Sequence, residues 1–290
     1  MTRGDGTGLP TGRAAGAVTD HRDGPAREPA HAPLGASPAS LARLAGTDRL
    51  LVALDVDGTL APLDDEPMRV RMLPAARDAV LALAALPDTT VALVSGRTLH
   101  DLRVITEHTG DSPLLLAGSH GAEYWLPGEG ERPRDEDAAD AVLRDELRGR
   151  AEELVAPLDG AWIEPKTFGF AVHTRLADAA TAAAAQHAVD ALIAAEASAW
   201  RRRTGRDIVE YASRAEGKDT ALALLRRRTG ATAVLFAGDD LTDEDALAGL
   251  GPDDLGVLVG DRPTHAGVRV PDIAAMAELL RQLADLRAPR

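Results

Sequence analysis

The sequence predicts an α/β protein in which a parallel-sheet core is interrupted by a smaller α+β module. Three observations carry that prediction. Short apolar runs recur along the chain and end in a polar residue or a glycine, as strands buried on both faces do. Segments of helical periodicity lie between them, the pattern that produces right-handed crossovers. From about residue 124 to 207 this alternation gives way to a charged helical stretch, an alanine-rich one and a few strand-like segments, after which the buried runs resume.

Residues 1–40 hold 7 Gly and 5 Pro with scattered charge and no hydrophobic period, so a disordered tail is expected there, with His21 and His31 as solvated bystanders. The first strand is Leu50 to Leu54, and it delivers Asp55-Val56-Asp57-Gly58-Thr59-Leu60. Leu73 to Leu86 reads as a helix with Pro74 suited to its first turn, stopped by Pro87-Asp88. A second buried run from Thr90 leads into Ser95-Gly96-Arg97, Thr98 to His108 is helical, and Leu114 to Ala117 is a third strand. The inserted module comprises a helix over Asp135 to Leu154, paired strands within Trp162 to Arg175, a helix over Ala177 to Trp200 and a strand from Asp207 to Tyr211. Buried strands return at Ala233 to Asp240 and Leu255 to Gly260, with helices at Lys218 to Thr229, Thr242 to Leu250 and Asp272 to Leu286. The expected division is a tail over 1–40, a Rossmann-like core over 41–123 and 208–290, and an α+β cap over 124–207.

Composition narrows the function. A formal charge of −14 leaves no basic surplus for nucleic acid or an anionic membrane surface. The absence of cysteine excludes disulfides, thiolate catalysis and Cys-bound zinc. No apolar run reaches the roughly 18 residues of a membrane span and the N-terminus lacks a signal-peptide core, so a cytoplasmic protein is the expectation. With only 3% aromatic residues, the core must be built from Ala, Leu and Val.

Three buried runs end in side chains that handle a metal or a phosphate: Asp55 with Asp57, Ser95, and Asp239 with Asp240. A lone acid at a strand end is ordinarily a turn or a cap. Ligands of open α/β sheets bind outside the carboxyl ends of the strands, so these termini should share one crevice. Asp55, Asp57 and Asp239 offer hard oxygen donors with no His or Cys beside them, the donor set of Mg²⁺. Asp55 is placed to attack phosphorus, and Asp57 to protonate a leaving alcohol and then deprotonate water. Thr59 and Ser95 can hydrogen-bond the phosphate, and Lys218 at a helix start can neutralise it. Asp240 and Asp243 are expected to orient metal-bound water, although Asp243 reads equally well as a charge at a helix N-terminus.

The strings Asp55-Val56-Asp57-Gly58-Thr59-Leu60, Ser95-Gly96-Arg97, Lys218 and Gly238-Asp239-Asp240 resemble the four ordered motifs of the haloacid-dehalogenase-type phosphatases. Within that superfamily, Gly118-Ser119-His120-Gly121-Ala122-Glu123, Glu164-Pro165-Lys166, Val172-His173-Thr174-Arg175 and Gly238 to Ala246 resemble the trehalose-6-phosphate phosphatase family. The resemblance implies Mg²⁺-dependent hydrolysis of a sugar phosphate through an aspartyl-phosphate, and a functional link to a trehalose-phosphate synthase. It also implies substrate contacts from Val56, Gly96, Arg97, His120, Glu123, Glu164, Lys166, His173, Arg175 and Glu210, with His120 and Glu123 alternatively bracing cap against core. Tyr211-Ala212 stands where many relatives carry Arg-Pro, and Asp219 where a glycine often follows the lysine. Sucrose phosphate, a glycosylglycerol phosphate or a glyceryl-glycoside phosphate is an alternative substrate, and a non-catalytic partner of a synthase is the alternative of another class.

Overall fold

The computed structural model describes residues 33–64, 66–133, 138–205 and 207–289. In chain order, α1 (Pro38–Ala45), β1 (Leu50–Leu54), α2 (Pro74–Ala84), β2 (Thr89–Val94), α3 (Leu99–Ile105) and β3 (Leu115–Gly118) are followed by β4 (Glu123–Leu126) and β5 (Gly130–Pro133). The middle of the chain forms α4 (Ala138–Val155), β6 (Trp162–Lys166), β7 (Gly169–His173), α5 (Ala179–Glu196), β8 (Arg201–Gly205) and β9 (Ile208–Ala212). The rest is α6 (Lys218–Thr229), β10 (Ala233–Gly238), α7 (Glu244–Ala248), β11 (Leu255–Val259), β12 (Val268–Val270) and α8 (Ile273–Arg287).

The large sheet has the order β12-β11-β10-β1-β2-β3-β4-β5, parallel from β12 to β3 with an antiparallel pair at one end. β1 is central and every residue in it is buried. Leu50, Val52 and Leu54 pack on one side with Leu44, Val80 and Leu280, whereas Leu51 and Ala53 pack on the other with Ala221, Leu225 and Phe236. Helices therefore cover both faces, which is why the run shows no period-2 alternation. The small sheet is antiparallel, in the order β6-β7-β9-β8, and carries α4 and α5 on one face through Leu147, Ala151, Phe170, Ala185, Val189 and Tyr211. Among the described residues, no helix is long and apolar enough to cross a membrane.

Sheet membership corrects both expected boundaries of the inserted module. β4 and β5 belong to the large sheet, with Tyr124 and Leu126 buried in its core, so the large sheet extends past residue 123. β9 pairs with β7 and β8, so the small sheet ends at Ala212 rather than at 207. β8, Arg201–Gly205, is a strand that the sequence hides. It lies at the sheet's edge, where arginines are at home and no apolar alternation is required.

Part of the segment expected to be a disordered tail is structured. Residues 1–32, His21 and His31 included, lie outside the described residues. From residue 33 the chain runs beside β12, with Gly35 donating to the Arg269 carbonyl at 2.7 Å, and Ser37 then caps α1 by accepting from the Ser40 N–H. Leu41 and Leu44 of α1 are buried in the core, a signal masked by the glycines and prolines that precede it. Leu44→Ala should therefore destabilise the protein by about 2–5 kcal/mol in denaturant unfolding, the usual scale for a buried leucine. A loss under about 0.5 kcal/mol, the surface-substitution scale, would show that α1 does not contribute to the core.

Candidate active site

Asp55 follows β1 directly and is 4% exposed. Its backbone N–H donates to the Ala237 carbonyl of β10, continuing the sheet by one bond, while its side chain enters the space beyond the strand ends. Lys218, the first residue of α6, donates from Nζ to Asp55 Oδ1 at 2.6 Å and to Asp243 Oδ1 at 2.7 Å. Thr59 is fully buried and donates to Asp55 Oδ2 at 3.3 Å. Asp243 in turn accepts the backbone N–H groups of Asp239 and Asp240 on Oδ2. Burial opposes the charge on Lys218, but Asp243 and Asp55 outweigh it and keep the ammonium protonated.

Two glycines make room for this cluster. Gly58 has φ +78°, and a Cβ there would lie 2.0 Å from Asp239 Oδ2. At Gly238 a Cβ would lie 2.1 Å from Asp243 Cγ. Asp55, Asp239 and Asp243 each offer an oxygen within 4.8 Å of the others. Burial, then the neighbouring carboxylates, raise Asp55 well above the usual carboxylate range against the pull of Lys218. Asp239 is pushed up to about 7 by burial and by Asp243. One ammonium does not balance this group. An all-oxygen donor set with surplus negative charge fits a hard divalent cation.

The side chain of Asp57 stands apart from that group. Arg97 grips it with Nε to Oδ2 at 2.7 Å and Nη2 to Oδ1 at 2.6 Å, and also donates to the Pro67 carbonyl. Among side chains it is Asp243, rather than Asp57, that completes the carboxylate cluster. Ser95 is buried and accepts the Arg97 N–H at 3.1 Å. The Val56 side chain packs in the core, so a substrate contact there falls to its backbone. Asp240 caps the short 3-10 turn Leu241–Asp243 and lies against Gly205 of β8.

A residue without a place in the sequence reading holds this loop. Arg262, beyond β11, donates to the carbonyls of Asp239 (3.0 Å) and Asp240 and to Glu244 Oε1 (2.6 Å). Glu244 also accepts from Thr264, from the His265 N–H and, at 2.9 Å, pairs with His265 Nδ1. Arg262 follows yet another buried strand, which is the signal that could have found it.

The small sheet faces this end of the core. Glu164 and Lys166 on β6 share a face and pair at 2.8 Å, and Glu164 Oε2 lies 2.5 Å from His173 Nε2. Burial raises the Glu164 pKa, but His173 and Lys166 outweigh it and bring it down to about 2. His173 stacks on Trp162 at 4.7 Å, and Arg175 lies over the same indole at 5.5 Å. Glu210 on β9 meets His120 of the core at 3.2 Å. Burial is again outweighed for Glu210, by His120 first and then by Lys166 and Arg203, and its pKa falls to about 2. His120 is driven down by its own burial.

Ser119 and His120 adopt φ of +47° and +56°, unusual for residues with side chains. Their N–H groups are fixed on the carbonyls of Arg97 and Ser95. Glu123 accepts from the Leu99 N–H at 3.1 Å, from Ser119 Oγ at 2.5 Å and from Thr167 Oγ1 of the β6–β7 turn at 3.3 Å. His120 and Glu123 thus bridge the two sheets. Gly96 and Ser119 of the core and Lys166, Arg203 and Glu210 of the module line the crevice between them.

A family model described as trehalose-phosphatase matches residues 53–266. The trehalose-phosphate phosphatase of Mycobacterium avium (strain 104) is 34% identical over 267 residues, which covers 85% of this chain and 66% of that protein. The chain thus spans just under two thirds of that relative's length. Among solved structures, the C-terminal domain of Candida albicans trehalose-6-phosphate phosphatase aligns with a TM-score of 0.73 at 19% identity, covering 88% of this chain and 98% of that one. The C-terminal domain of the Candida albicans trehalose synthase regulatory protein aligns with a TM-score of 0.70 at 16% identity, covering 87% and 99%. The two structural likenesses carry the fold alone, an α/β core with a smaller α+β module. The family model and the mycobacterial relative carry more: this chain belongs to the trehalose-phosphatase family.

Proposed function

We propose that the chain hydrolyses trehalose 6-phosphate to trehalose and phosphate, with Asp55 as the nucleophile. The observation that supports this most directly is the buried Asp55–Lys218–Asp243 unit at the end of the central strand. An Asp55 oxygen attacks phosphorus as the bond from phosphorus to the sugar oxygen breaks, giving an aspartyl-phosphate. Asp57, in its protonated form, gives its proton to the departing alkoxide; as a carboxylate it then takes one from water, which attacks phosphorus and releases Asp55. Arg97 donates to both carboxyl oxygens of Asp57, so proton donation requires that fork to let go of one of them. Lys218, Ser95 and Thr59 supply donors to the phosphate. Mg²⁺, held by Asp55 and Asp239 with Asp243 completing the group, would neutralise charge on the transferring phosphoryl group.

Sugar recognition falls to the cap, because a phosphate site treats all phosphomonoesters alike. Glu164, Lys166, Glu210, His173 and Arg175 are the candidate contacts. A phosphorylated disaccharide does not diffuse through a membrane, which favours a cytoplasmic location alongside the synthase that makes it. The fold is also that of a regulatory protein's domain, but Asp55, Asp57, Lys218 and Asp239 are all present here and three of them meet in one cluster, which supports catalysis.

Phosphate release measured over a panel of sugar phosphates should be highest with trehalose 6-phosphate. A clear preference for sucrose phosphate or a glycosylglycerol phosphate would refute the substrate assignment, and no release from any of them would favour the regulatory reading. Glu164→Ala or Lys166→Ala should lower kcat/KM on trehalose 6-phosphate by roughly 10- to 1000-fold, the scale of about 1–4 kcal/mol for lost substrate hydrogen bonds. Hydrolysis of p-nitrophenyl phosphate, which does not reach the cap, should change far less; equal losses would mean that these residues serve the core chemistry. Arg262→Ala should weaken Mg²⁺ binding, followed by calorimetry, by roughly 10-fold, as loss of a group orienting metal ligands does. Unchanged binding would free Arg262 of that role.

A further inference from the structure

The face of the small sheet turned away from α4 and α5 forms a trough. Along β6 it carries Glu164 and Lys166; opposite them on β7 stand Ala171 and Gly169, which have almost no side chain. β9 contributes Glu210 and Ala212, and β8 contributes Arg203, the register partner of Glu210. Three strand spacings of about 4.8 Å separate β6 from β8, so the two rims stand roughly 14 Å apart. Charged side chains thus stand on both rims, and Gly169, Ala171 and Ala212 lie between them beside Glu210. Arg202, of opposite parity, leaves this face and pairs with Asp190 of α5 at 2.6 Å.

Arg203 is 9% exposed and lines the crevice with Lys166, Glu210 and Ser119. Its Nη2 donates to the carbonyl of Glu216. Its Nη1 stands 3.6 Å from Glu210 Oε1, an ion pair too long for a hydrogen bond. The guanidinium has five N–H groups, so it keeps donors for a ligand in the trough. Glu210 beside it can accept from the same ligand. A donor and an acceptor side by side suit vicinal hydroxyls, which both give and receive hydrogen bonds.

We propose that Arg203 is a specificity-determining residue that binds hydroxyls of the sugar on the rim opposite Lys166. The inference rests on the sugar-phosphate reading above and adds a contact on the far rim of the trough. Arg203→Met keeps the length of the side chain and removes its donors. It should lower kcat/KM on trehalose 6-phosphate by roughly 10- to 100-fold while p-nitrophenyl phosphate hydrolysis stays within about threefold of the parent. Arg203→Lys, with one ammonium in place of the fork, should recover part of that loss. Efficiency on trehalose 6-phosphate within about twofold of the parent would overturn the proposal. Equal losses on both substrates would overturn it as well, since Arg203 would then act through Glu216 on the segment that presents Lys218. If Arg203→Met does not fold, as judged by circular dichroism, Arg203→Lys decides alone: a loss of roughly 3- to 10-fold confined to trehalose 6-phosphate supports the contact, and its absence refutes it. A parent inactive on trehalose 6-phosphate would refute the substrate assignment separately, and the same variants compared on the sugar phosphate it does hydrolyse would still test Arg203.

Discussion

Lys218 lies buried between Asp55 and Asp243, and the arrangement of the core depends on that contact. An ammonium buried with two carboxylates is stable only if each partner is held at hydrogen-bond distance, because desolvation penalises every unpaired charge. Three separate parts of the chain must therefore converge: the end of β1, the first turn of α6 and the turn after β10. Parallel pairing of β1 with β10 brings Asp55 and the Asp239 loop together. The glycines at 58 and 238 let the carboxylates approach, and Arg262 clamps the loop from outside. Even so, negative charge exceeds positive at this point. That surplus, on an all-oxygen donor set, is the kind that a hard divalent cation balances.

The cap meets the core through contacts of a different kind. Glu210 with His120 and Thr167 with Glu123 join the two sheets through polar side chains. Arg201 adds bonds to the Ala215 carbonyl and to Asp245. Polar seams of this sort can open and reform without exposing a hydrophobic core, which leaves the two parts free to separate and close. The apolar core of the cap lies on its far side, beneath α4 and α5, and does not take part in the seam.

How much could be read from the sequence follows from where the information is stored. A strand buried on both faces shows as a continuous apolar run, so β1, β2, β10 and β11 were legible, with the acids that follow β1 and β10, as was the insertion of an α+β module. Glu164 and Lys166 could be placed on one face by parity alone. Other features depend on partners distant in sequence. β8 is three arginines, a threonine and a glycine, and becomes a strand because β9 lies beside it. The grip of Arg97 on the Asp57 side chain joins residues forty positions apart. α1 was hidden because the composition of residues 1–40 pools the Ser37 cap and the first residues of α1 with many glycines and prolines. The residues of β4 and β5 fell within the expected module because the pattern of buried runs stops after Ala117; their place in the large sheet rests on the pairing of β4 with β3.

The central claim is that the Asp55 carboxylate is the group that attacks phosphorus. Asp55→Asn keeps the shape of the side chain and a hydrogen-bond acceptor for Lys218, but an amide does not displace the sugar oxygen. The decisive measurement is the rate of phosphate release from trehalose 6-phosphate by this variant, with its fold checked by circular dichroism. The account predicts a folded protein whose turnover is lost; release at about a tenth of the parental rate or more, a barrier increase of only about 1.4 kcal/mol or less, would contradict it.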